Sequence, residues 1–115
     1  MSKFGLYSDK SSQTTIPFET HLEGLGEQTK TLLLSLRDFV KSLGNNVIEE
    51  VRPHRIVYAK SLTFRTFLDI QPKKDSITIS VRKGRSEPPT TYIAKTEQEL
   101  ENIKYQIAEA HKTIR

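Results

Sequence analysis

The chain has no cysteine, so thiolate catalysis, disulfides and cysteine-based zinc sites are excluded. Its three histidines, His21, His54 and His111, fall in three separate stretches with no paired ligand spacing, and no metal site or bound cofactor is expected. Gly24-Leu-Gly26 lacks the Gly-x-x-x-x-Gly-Lys form and follows no strand, so it is not a phosphate loop. Divalent-metal hydrolysis needs two or three carboxylates around an ion with a lysine nearby. Glu50, Asp69 and Gln71 with Lys60 or Lys73 are the candidates, but Asp69-Ile-Gln71 lacks the lysine expected two residues on. A metal-dependent nuclease-like domain is therefore only a remote alternative, and no catalytic residue is assigned.

Charge gives a stronger pointer. Residues 51–85 hold nine Lys/Arg against two acids, whereas the other residues hold nine bases against twelve acids. A basic centre between less basic flanks favours an anionic partner, nucleic acid foremost. It also fits a strand-rich segment with cations on its wet face and edges, which discourages aggregation. The residues expected to contact nucleic acid are Arg65, Phe67, Lys73, Lys74, Arg82 and Lys83. Cations would hold phosphates and the ring would stack on a base. No zinc-finger, helix-turn-helix or RNP-type signature accompanies them. The same face, or an exposed strand edge, would also suit a protein partner or a second copy of the chain.

The elements that must position these residues follow from periodicity. In residues 27–43, Leu32, Leu36, Phe39, Val40 and Leu43 recur on one helical face, with Lys30, Arg37, Asp38 and Lys41 mostly away from it. Gly44-Asn45-Asn46 ends that helix. The period then becomes two. Val47 to Val51 and Arg55 to Lys60 are strands. From Phe64 to Ile70, strict alternation sets Phe64, Thr66, Leu68 and Ile70 against Arg65, Phe67 and Asp69. Gln71 to Asp75 is a hairpin turn. Ser76 to Arg82 is the cleanest strand, with Ile77, Ile79 and Val81 on one face. Gly84 to Pro89 is a loop and Thr90 to Ala94 a final strand. Thr96-Glu-Gln-Glu99 has capping-box form and opens a helix buried through Leu100, Ile103, Ile107, Ala110 and Ile114.

The expected fold class is α+β: a mainly antiparallel three- to five-stranded sheet, with an N-terminal and a C-terminal helix packed on one face. Residues 1–17, rich in Ser, Thr, Lys and Gln, are expected to be a flexible arm, and 18–115 a single domain. No stretch approaches the roughly 18 apolar residues of a membrane span, and the start lacks a signal-peptide core. The expectation is a cytoplasmic protein with no membrane partner.

The order of these segments resembles a short uncharacterised prokaryotic domain family over about residues 21–114. The resemblance rests on His21 to Gly24, Ile56 to Lys60, Phe67 to Ile70, Lys73-Lys74 and Thr96 to Ala110. Members, some labelled "predicted transport protein", occur alone or appended to restriction-type nucleases. The resemblance implies a small appended module and carries no activity with it. Family members usually have a longer segment with His, Trp and Gly between the last two strands. Here that region is only Gly84 to Thr91.

Overall fold

The computed structural model describes residues 16–61, 65–84 and 86–114. Two helices, α1 (Glu27–Lys41) and α2 (Glu97–Thr113), pack on one side of a five-stranded antiparallel sheet. The strands are β1 (Val47–Val51), β2 (Ile56–Lys60), β3 (Arg65–Pro72), β4 (Ile77–Val81) and β5 (Thr90–Ala94), and they lie in chain order. A short 3-10 turn, Phe18–Leu22, precedes α1. Of the expected N-terminal arm, residues 1–15 lie outside the described residues. Ile16 packs against the core, and its amide bonds the Val51 carbonyl on the outer strand β1.

The alternation read from the sequence holds fully in β4. Ile77, Ile79 and Val81 are buried under the helices, while Thr78 and Ser80 face the other way. Their neighbours in register, Leu68 and Ile70 of β3 and Ile56 and Tyr58 of β2, continue the covered face. The helices complete the core with Leu32, Leu33, Leu36 and Val40 from α1 and Leu100, Ile103, Ile107 and Ala110 from α2. Burying such side chains stabilises the fold by about 1.5–3 kcal/mol each.

Alternation fails in β3. The register shifts between Tyr58 and Ala59, so that Tyr58 opposes Leu68 while Ala59 opposes Thr66. Phe67 is the extra residue of this bulge. Its ring turns into the covered side, has no exposed surface, and meets the His111 ring edge-on at 5.4 Å.

Both helices run in the same direction. The α1 start bonds the β3–β4 turn (Gly26 N–H to Lys74 O, 2.9 Å), and α2 starts just after Ala94, the register partner of Ile77 at that same end. Midway, Lys104 of α2 bonds the Ser35 hydroxyl of α1. At the far end, His111 bonds Asn46 beyond the α1 terminus. Both helix C-termini therefore reach the end of the sheet where β2 finishes and β3 starts. Thr96 caps α2 as its sequence implies, accepting from Glu99 N–H at 3.2 Å. The return bond from the Glu99 carboxylate goes to Lys95 N–H at 2.7 Å, one residue ahead of the usual capping box.

A polar cluster fixes α1 to β1 and β2. Arg37 donates two 2.9 Å bonds to the Glu49 carboxylate, and the Tyr58 hydroxyl donates a third at 2.7 Å. Lys41 stands 3.5 Å from the same carboxylate, and Phe18 lies under the Arg37 guanidinium, 4.0 Å away. Burial pushes the Glu49 carboxyl up. The bonds from Arg37 and Tyr58, with the charges of Arg37 and Lys41, outweigh it and hold the group below its ordinary value. Burial, followed by the bond to Glu49, pushes the Tyr58 phenol upward. Arg37, placed on the wet side by its sequence position, is thus an internal partner.

Candidate functional site

The helices leave the other side of the sheet open. Register puts Glu50, Val57, Asp69, Ser80 and Thr91 in one row across the five strands. Gln71, Thr78 and Ile93 form the next row, and Ile48, Ala59 and Thr66 flank the first on its other side. The face is thus mostly hydroxyl, amide and charged groups. Its exposed apolar residues are Ile48 (36%) and Ile93 (58%), one on each outer strand.

A hollow of about 320 Å³ opens on this face, with Arg55, Thr66, Asp69, Gln71, Ser80, Arg82 and Pro89 among its walls. Arg55 Nη1 donates to Asp69 Oδ2 at 2.8 Å, while Asp69 Oδ1 is buried without a hydrogen-bond partner among the described residues. Across the hollow, the amide of Arg82 bonds Phe67 O at 3.0 Å and its Nη1 bonds Glu87 O at 2.7 Å, which orients the guanidinium. Ser80 and Thr91 share a hydroxyl bond of 3.2 Å. Two guanidiniums against one carboxylate leave the hollow with a formal charge of about +1 at neutral pH. Nearby, Arg52 pairs with Glu50 at 2.9 Å, and this bond raises the Arg52 guanidinium above its ordinary value.

The six residues expected to form one basic, aromatic patch are not gathered there. Phe67 is in the core rather than on the wet face, because the bulge reverses its direction. The bulge also moves Arg65, which pairs with Lys60 on the helix-covered side. Lys83 reaches toward α2 and bonds Gln106 at 2.7 Å. Lys73 and Lys74 are exposed in the β3–β4 turn, at the opposite end of the sheet from Arg82. Of the six, Arg82 and Phe67 border the hollow, and Phe67 has no exposed surface to offer a ligand. The basic segment is largely absorbed internally: Lys60 donates to Ile114 O at 3.2 Å, at the negative end of α2.

The alternation of β4 already puts Ser80 on the wet face, but Arg55 and Gln71 are not among the expected contact residues. The signal for them lies in pairing. Once Ile56 opposes Ile70 and Ile70 opposes Ile79, the residues beside them must share the other face. The nuclease candidates also disperse. Glu50 and Asp69 share the open face but stand two strands apart, about 10 Å by strand spacing, and each holds an arginine. Lys60 lies on the covered side. Among the described residues, no group of three His, Asp or Glu is placed to hold a metal ion. Burial, followed by the charge of Lys60, lowers the proton affinity of His111.

No family model, no curated protein and no solved structure matches this chain. Among the described residues, no helix is long and apolar enough to cross a membrane.

Proposed function

We propose that this chain is a small non-catalytic binding module that meets an anionic partner, nucleic acid foremost, through the open face of its sheet. The observation that carries the reading is the uncovered hollow with Arg55 and Arg82 in its walls. Guanidiniums present planar, fixed N–H forks suited to phosphate, and this pair outnumbers the one carboxylate beside it.

A titration of labelled protein with short single-stranded RNA, single-stranded DNA and duplex DNA, at low and moderate salt, tests the reading. Salt-sensitive amide shifts are expected on the open-face residues of β2, β3 and β4. Absence of shifts with all three ligands refutes it.

The second reading is a protein-interaction or dimerisation domain. It is favoured by Ile93, which leaves more than half its surface exposed on β5, and by the absence of Phe67 from that face. An edge strand can add a neighbour's strand. Doubled mass in solution, insensitive to salt, is its signature.

A further inference from the structure

The hollow combines an uncovered arginine pair with a carboxylate that already occupies one of them. Arg55 is committed to Asp69 by a single 2.8 Å bond and keeps nearly half of its side chain exposed. Arg82 spends one N–H on Glu87 O and retains others. Thr66, Gln71 and Ser80 also line the hollow, and their hydroxyl and amide groups can donate to oxygen. A volume of about 320 Å³ is at the small end of ligand sites, large enough for one nucleotide-sized group. A duplex presents its phosphates on a stiff convex surface, whereas a single strand can bend one unit into a concavity.

We propose that the hollow seats one phosphodiester unit of a single-stranded nucleic acid between Arg55 and Arg82, with Asp69 as a built-in competing anion for Arg55. This rests on the nucleic-acid reading above and names the strand type and residues. Asp69 is a positioning residue here: it aims Arg55 across the hollow and weakens its hold on the incoming phosphate. Described residues of this face offer no exposed aromatic ring, so the contact is electrostatic and indifferent to base sequence.

The test is binding of an oligothymidylate to the full chain across a salt series, with the variants R55Q, R82Q and D69N and the control K73Q/K74Q. One phosphate neutralised on a single strand gives a slope of log affinity against log salt of about −0.7. Each arginine variant is expected to weaken binding at low salt and to flatten that slope. D69N is expected to bind more tightly at low salt, by about threefold, because one like charge beside the phosphate is removed at the dielectric of water. K73Q/K74Q should match the parent, and an oligoglutamate of equal charge should compete poorly. Amide spectra check that each variant keeps its fold, and R82Q does not touch Asp69, so it remains decisive if D69N misfolds.

Binding lost in K73Q/K74Q but kept in R55Q and R82Q overturns this site while leaving nucleic acid as the partner. Unchanged or weaker binding by a folded D69N overturns the competing role of Asp69. Equal competition by oligoglutamate overturns the phosphodiester assignment. No binding to any nucleic acid overturns this inference and the reading beneath it together.

Discussion

Replacing Glu49 by Gln should separate the charge of the α1–β1–β2 cluster from its shape. The amide retains one oxygen for the Tyr58 hydroxyl or for Arg37, and it leaves Arg37 and Lys41 facing each other without an anion. Breaking a fully buried ion pair from one side costs about 3–5 kcal/mol. Arg37 keeps about a quarter of its side chain exposed, and Glu49 about an eighth, so solvent screens part of the pair. A loss of about 2 kcal/mol is expected after that discount. For a chain of this length, that is a fall in Tm of about 8 °C at neutral pH. The pH dependence supplies an internal control. The folded-state proton affinity of Glu49 is depressed, so its contribution is fully present above the ordinary carboxyl value of 4.5. It disappears as pH falls through the lower folded value. Parent and E49Q melting curves should therefore differ at pH 7 and converge at strongly acid pH. A Tm difference below about 2 °C at pH 7 would refute the claim that this charge cluster holds α1 in place, as would a gap that persists unchanged into acid.

Two further outcomes follow from the packing. Phe67→Ala should cost about 3–5 kcal/mol in denaturant unfolding, as for a buried aromatic, and a loss near 0.5 kcal/mol would return the ring to the surface. His111 resists protonation in the folded state, so stability should fall as pH drops from its ordinary value of 6.5 through the lower folded value; His111→Gln should flatten that stretch of the curve, which chemical denaturation at stepped pH measures.

The parts of the fold legible in the sequence are those where one signal acts alone. β4 alternates without interruption, and the α2 stripe from Leu100 to Ile114 is buried throughout. The helix starting after Thr96 was visible because a capping hydroxyl sits just ahead of an apolar stripe. The candidate site was harder to read because it depends on a single inserted residue. One bulge in β3 sends Phe67 inward and Arg65 to the covered side, and nothing in the alternation of Phe64 to Ile70 announces it. Phe64 itself lies outside the described residues. The density of positive charge was visible in composition. Its division between the two ends of the sheet was not, because that depends on where the helices finish. Lys60 serves the last turn of α2, and Lys83 is held by Gln106 of that helix, so neither is available to the open face.

The sheet's strand order, identical to the order in the chain, bears on how the molecule folds. Each pairing joins consecutive strands, so the sheet can zip up hairpin by hairpin with short loop closures. Only the docking of α1 and α2 brings distant parts of the sequence together. Until both helices dock, Ile77-Thr-Ile-Ser-Val81 is a β-prone, uncharged stretch with its apolar side in water. The two helices thus also protect a nascent sheet from self-association, and a chain unable to dock them is expected to aggregate.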